Sequence, residues 1–174
     1  LGAAPGSWSQ YIARTYPKSR IFAMDLLEIS PIVGVETYQG DFTSDAALNW
    51  LNEKLNLPVD EYGHGTVDVV VSDMAPNTVG HKKTDHIRQM VLLEYAFDFA
   101  IRALKVGGTF VCKSFTGGTT NDLLKQIKDN LTRKSIVLNS TTSPSSICSL
   151  VVNMCDKCSN KDYFKQICEL GQAY

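Results

Sequence analysis

The sequence predicts an α/β fold with a mostly parallel central sheet and helices on both faces. Two observations carry that expectation: β-rich apolar runs alternate with helical patterns along the chain, and a Gly-rich turn at residues 1–6 runs directly into a helix. The turn itself, "LGAAPG", should follow the first strand of such a sheet, so that strand is expected to be largely missing from this chain. "WSQYIARTY" (8–16) has helical spacing, and "RIFAMD" (20–25) and "VETYQ" (35–39) read as strands. "SDAALNWLNEKL" (44–55) is helical, with Ser44 as its N-cap and Trp50 on its core face. "LNLPVDEYGHGT" (55–66) is a loop without evident chemistry, and "TVDVVVSD" (66–73) is the next strand. A long helix over 84–105 is expected to be capped by Thr84 and closed by Gly107 and Gly108 before the strand "GTFVCKSF" (108–115). A helix over 121–131, strands over 134–139 and 147–153, and a tail from 154 to 174 with one short helical pattern complete the chain.

Size and composition fit one domain. A chain of 174 residues with 44% hydrophobic and 20% charged residues can bury a sizeable core. No apolar run approaches the ~20 residues a membrane helix needs. The net charge of −1 gives no global attraction to a polyanion, so any nucleic-acid surface must be a local patch. Five cysteines (112, 148, 155, 158 and 168) favour reduced thiols over a disulfide framework. Cys155 and Cys158 form a single C-x-x-C with no second pair at zinc spacing, and no metal is expected.

Ligands of open α/β sheets sit beyond the carboxyl ends of the strands. Gly2 and Gly6 would let the backbone approach such a ligand, and the following helix end supplies amide donors. Asp25 ends its strand about 20 positions later, where a carboxylate accepts hydrogen bonds from ribose hydroxyls. Asp41 ends the next strand and could meet an adenine amino group while Phe42 packs on the ring. The turn lacks the spaced G-x-G-x-x-G of dinucleotide sites, and Pro5 removes an amide that a pyrophosphate would want. A ligand with an adenosine end and no phosphates fits better, and S-adenosylmethionine is such a ligand.

"LGAAPGSWSQ", "MDLLEISPIVGVETYQGDF", "VVVSDMAPNTVGHKKTDHIRQM" and "GGTFVCKSF" occur in this order and together resemble the FtsJ/RrmJ family. The resemblance runs from residue 1 to about 132. It implies a Rossmann-like methyltransferase fold that transfers methyl from S-adenosylmethionine to a ribose 2′-hydroxyl, a uridine of large-subunit ribosomal RNA. It also implies a domain over 1–153 that is incomplete at its N-terminus, where the family carries a strand and a catalytic lysine. Trp8 matches a cofactor-side position.

A ribose hydroxyl is a poor nucleophile, so a base must take its proton as attack proceeds. The resemblance implies a Lys-Asp-Lys-Glu tetrad. Lys113 of "VCKSF" matches the lysine that acts as base, and Asp73 of "SDMAP" matches the aspartate that holds it and the methyl donor in line. A free lysine is protonated at neutral pH (pKa ~10.4), so a lysine base needs burial and a neighbouring cation. The place of the glutamate falls on Cys148 or, with a shift of one, on Ile147, and neither is acidic.

The expected partner is RNA in a ribosomal particle, met by a monomer with no membrane contact, in the cytoplasm or alternatively a mitochondrion or nucleolus. His81, Lys82, Lys83, His86 and Arg88 could meet its phosphates or be a solvated loop. The strip Lys125, Lys128, Arg133 and Lys134 reads as an ordinary helix surface. Asn77 shapes the turn after Asp73. Two alternatives stay open: a tRNA ribose methyltransferase, and a non-catalytic RNA-binding or ribosome-assembly relative that has lost its tetrad.

Overall fold

The computed structural model describes residues 1–57, 65–77, 79–115, 135–140 and 147–153. The helix expected over 121–131 and the tail from residue 154 lie outside the described residues. Among the described residues the chain divides into two compact units, one over Leu1–Lys54 and one beginning at Leu55.

In the first unit the turn leads into α1 (Ser7–Thr15), then β1 (Ile21–Asp25), β2 (Val35–Gln39) and α2 (Asp45–Leu55). The two strands pair in parallel, with Ile21 opposite Val35 and Asp25 opposite Gln39. Ala23, Met24, Phe42, Ala47 and Leu51 are buried and form the core between strands and helix. Ser44 caps α2 as expected, its Oγ accepting the Ala47 amide at 3.3 Å. Trp50 is half-buried rather than fully internal. Its ring stands edge-on to Phe22 at 6.1 Å and against Tyr38 at 5.0 Å, while Lys54 pairs with Glu36 at 2.6 Å.

The second unit contains β3 (Val67–Ser72), α3 (Lys82–Ala103), β4 (Leu104–Phe115), β5 (Ser135–Ser140) and β6 (Ile147–Asn153). The strand order is β3-β4-β6-β5, parallel between β3 and β4 and antiparallel at β4–β6 and β5–β6. The sheet is therefore mixed, and the strands of its one parallel pair, β3 and β4, are joined through α3. α3 packs here because Leu93, Ala96, Phe97, Ala100 and Ala103 recur at three- and four-residue steps and form one buried stripe. Phe97 meets Phe110 of β4 with ring centroids 5.9 Å apart. Phe110, Val111 and Cys112 are all fully buried in succession, as a strand covered on both faces requires.

Two expectations about α3 are corrected. The helix starts at Lys82, and its N-cap is His81, whose ring nitrogen receives the Thr84 amide at 3.4 Å. Thr84 is thus inside the first turn. The helix also ends before the glycines: Leu104 takes extended dihedrals (φ −75, ψ 135) and begins β4 at once. Gly107 (φ 86) instead lies within β4, where the register to β3 jumps between Val67↔Leu104 and Val69↔Thr109. A residue in the left-handed region lets the strand absorb that excess length.

Candidate active site and cofactor cradle

In the first unit the Gly-rich turn is drawn alongside β1 by its own amides. Ala3 donates to the Met24 carbonyl at 3.0 Å, and Ala4 donates to Asp25 Oδ2 at 2.8 Å. Asp25 Oδ1 accepts the Leu27 amide at 2.9 Å, and its carbonyl accepts the Gly40 amide at 2.8 Å. Asp25 therefore ties together the turn, the end of β1 and the end of β2. A carboxylate offers about four acceptor positions, so two backbone amides leave room for hydroxyl donors.

Gly6 is the N-cap of α1, in the left-handed region at φ 115 and ψ 5. A Cβ there would stand 2.8 Å from Ile32 Cδ1. Gly2 also has positive φ, at 64. Both glycines sit where the turn must bend, and Trp8 follows half-buried in the first turn of α1. Hydrogen bonds from Ala3 and Ala4 thus fasten the turn between Gly2 and Gly6 to Met24 and Asp25.

Asp41 lies just past β2 and is exposed. Its Oδ1 accepts both the Thr43 hydroxyl at 2.7 Å and the Thr43 amide at 2.9 Å. The Thr43 hydroxyl, and next its amide, hold the Asp41 carboxyl below the usual carboxylate range, against a small opposing effect of burial. Phe42 is 6% exposed, and its ring belongs to the core of the unit.

In the second unit Ser72 and Cys112 are paired across β3 and β4, so Asp73 and Lys113 emerge side by side one residue later. Lys113 Nζ lies 3.1 Å from Asp73 Oδ1 and 3.4 Å from Oδ2, with the two side chains 27% and 30% exposed. The pair combines partial desolvation with partial exposure, the condition in which a charged hydrogen bond gains strength while the amine can still meet a ligand. Lys113 is also opposite Ser149 of β6, and Cys148 opposite Ser114. The two positions to which the resemblance could assign a glutamate, Cys148 and Ile147, are therefore one and two residues along β6 from Lys113's partner.

The segment after Asp73 is fastened to α3. The Val79 amide donates to Asp85 Oδ1 at 2.8 Å, and Gln89 Nε2 donates to the Met74 carbonyl at 2.9 Å. Sequence reasoning passed over Asp85 and Gln89. The signal was the buried stripe of α3 itself: counting back by four from Leu93 lands on these two polar residues. Of the residues considered for phosphate contact, His81 is used as a helix cap, His86 is half-buried and Arg88 is exposed. The side chains of Lys82 and Lys83 lie outside the description, as does the strip from Lys125 to Lys134. Among the described residues no group of three His, Cys, Asp or Glu could hold a metal ion, and no helix is long and apolar enough to cross a membrane.

The chain is 47% identical over 132 residues to "Ribosomal RNA large subunit methyltransferase E" of Novosphingobium aromaticivorans, a match covering 76% of this chain and 56% of that protein. The protein of the same name from Erythrobacter litoralis is 49% identical over 130 residues, covering 75% of this chain and 56% of that one. The chain thus spans somewhat more than half the length of these curated relatives. A crystal structure described as a ribosomal RNA methyltransferase of Plasmodium falciparum superposes with a TM-score of 0.71 at 26% identity, covering 87% of this chain and 82% of that one. The profile of the FtsJ-like methyltransferases matches residues 1–153. With the glycine turn, the acidic strand ends and the Asp73–Lys113 pair in place, the chain belongs to the FtsJ-like methyltransferase family.

Proposed function

We propose that this chain carries the catalytic core of an enzyme that methylates a ribose 2′-hydroxyl in large-subunit ribosomal RNA, with S-adenosylmethionine as donor. The observation that carries the reading is the Lys113–Asp73 pair, held at 3.1 Å at the ends of adjacent parallel strands in a methyltransferase fold. RNA as partner is supported by the substrate named in its relatives, whose names specify the large ribosomal subunit.

The residues of the first unit fit the donor. Gly6 lacks a Cβ where one would meet Ile32, so glycine lets the turn pack closely there while its left-handed backbone bends the chain into α1. Asp25 retains acceptor capacity for a ribose, and Asp41 has a second oxygen for an exocyclic amine. Gly2 shapes the turn, and Trp8 offers an aromatic surface at the start of α1. Phe42 would serve from beneath, as packing behind Asp41. When bound, the donor supplies an electrophilic methyl on a sulfonium.

The chain's own chemistry lies at the hydroxyl. In its neutral form Lys113 Nζ would accept the hydroxyl proton while the ribose oxygen bonds to the methyl carbon and the carbon–sulfur bond breaks to leave a neutral thioether; Asp73 fixes where Nζ stands. General-base help of this kind is worth roughly 10²–10⁴ in rate, and alignment of bound reactants contributes several kcal/mol more.

One observation favours a second reading. The place where the resemblance implies a glutamate falls on Cys148 or, with a shift of one, on Ile147, and neither is acidic. A relative that binds the donor and RNA without turnover would carry such a change. Transfer of labelled methyl to ribosomal particles, compared with tRNA, separates the readings. Transfer to the particles that Lys113→Ala abolishes supports the enzyme. Transfer to tRNA alone redirects the substrate. Equal inertness of wild type and variant, with donor binding seen by calorimetry, favours the non-catalytic relative.

A further inference from the structure

We infer that Gln89 is a positioning residue of the methyl-transfer site, a clamp on α3 that holds the backbone at Asp73 and Lys113 in register; the inference rests on the reading of that pair as the site. Gln89 is 4% exposed, and its Nε2 donates both to the Met74 carbonyl at 2.9 Å and to the Lys113 carbonyl at 3.3 Å. One NH2 group carries two protons, so a single side chain can serve both carbonyls. Those carbonyls belong to the residue after Asp73 and to Lys113 itself. The clamp therefore acts on the two main-chain points that decide where the carboxylate and the amine stand.

Stability alone accounts poorly for this residue. Gln89 Oε1 is buried and has no hydrogen-bond partner among the described residues. A buried, unpaired amide oxygen is a cost that leucine or methionine at the same helix position would avoid. Asp85, one turn earlier on the same face, accepts the Val79 amide and anchors the far end of the same segment. The helix thus grips the segment after Asp73 through one acceptor and one donor, and only the donor also reaches β4.

The consequence for rate follows from geometry. The β3–β4 ladder ends at Ser72 and Cys112, where the site begins, while β4 goes on pairing with β6 through Phe115. Beyond the β3–β4 ladder, Gln89 links the main chains at Met74 and Lys113, beside the Asp73–Lys113 ion pair whose geometry that link sets. Loss of that connection lets Nζ and the carboxylate drift while donor binding in the first unit is untouched, and a displacement near 1 Å costs up to about 100-fold in rate.

The test uses the intact chain labelled with 15N and 13C. In wild type the Gln89 NH2 protons exchange with water far more slowly than those of exposed Gln10, and Lys113 Nζ shows scalar coupling to the Asp73 carboxyl carbon. Gln89→Met keeps length and helix propensity but donates nothing. It should lose that coupling and lower kcat at least tenfold, with KM for S-adenosylmethionine within twofold and a single melting transition. Unchanged coupling and kcat in folded Gln89→Met overturn the inference. So does a wild-type Gln89 NH2 that exchanges as fast as that of Gln10, a measurement that decides the matter even if the variant does not fold. Lys113→Ala at the wild-type rate would instead overturn the reading of the pair, and this inference with it. An inactive Lys113→Ala beside a fully active Gln89→Met overturns the clamp alone.

Discussion

Asp25 Oδ2 accepts the Ala4 amide at 2.8 Å, across 21 residues of chain, and Oδ1 of the same carboxylate accepts the Leu27 amide at 2.9 Å. The acid expected to hold a ribose is thus also the clasp of the loop that would cradle the rest of the ligand. In the proposed reading, binding and local folding are coupled through one side chain, because a hydroxyl that joined the carboxylate would meet a turn already fixed around it.

Asp25→Ala should therefore fail twice. Removing an acceptor shared by two amides should cost about 1–3 kcal/mol in urea denaturation, since hydrogen bonds to a charged partner are the stronger ones. Calorimetry should show affinity for S-adenosylmethionine falling more than about tenfold, the equivalent of ~1.4 kcal/mol. Normal affinity in a destabilised Asp25→Ala would leave the clasp standing and remove the ribose contact.

Lys113→Ala and Asp73→Ala should separate rate from stability. Both groups are partly exposed, and breaking such a pair should shift unfolding by no more than about 1 kcal/mol. Single-turnover transfer should fall at least about 100-fold in each variant, because one loses the proton acceptor and the other its placement. Near-normal transfer in Asp73→Ala would assign the aspartate to structure.

Most of this architecture was legible from periodicity. The spacing reads β1, β2 and β6 to within a residue, and the strand end at Asp25 and the one just before Asp73 follow from where apolar runs stop, while Lys113 stands two residues before the end of β4. The ends of α3 were harder. His81 is a weak cap by composition, yet its ring reaches the Thr84 amide, and Leu104 leaves the helix with no breaker beside it. Tertiary pairing of β4 with β3 ends that helix, not local preference. Asp85 and Gln89 were missed for a related reason: a polar residue on a helix gains its meaning from the loop packed on it, and sequence spacing alone does not say which loop that is.

Gly6→Ala should destabilise the first unit by about 1–3 kcal/mol, since a left-handed φ is costly for any residue with a Cβ. The new methyl would also stand 2.8 Å from Ile32 Cδ1, the far end of a half-buried side chain. Adding Ile32→Val should recover the steric share and leave the backbone share. Full recovery in the double variant, read by thermal unfolding, would show that crowding alone demanded glycine.

The Thr43 hydroxyl is the chief cause of the lowered Asp41 pKa, so Thr43→Val should move that titration back toward the usual carboxylate range. The Thr43 amide, the second cause, remains in the variant, and the return should be partial. The sign of the stability effect follows from linkage. A carboxyl depressed in the folded state stabilises it at pH values above the unfolded pKa, ~3.9, and that contribution disappears as pH falls through the folded value. Wild type and Thr43→Val should accordingly differ by a constant amount near neutrality, and the part of that difference due to Asp41 should vanish in strong acid. Asp41 is exposed, so the effect is small and the titration itself is the sharper measurement. Carbon-13 shifts of the Asp41 carboxyl should give a midpoint higher in Thr43→Val than in wild type. Superimposable curves would mean that the hydroxyl does not hold the carboxylate in solution, leaving the Thr43 amide as its remaining partner in that turn.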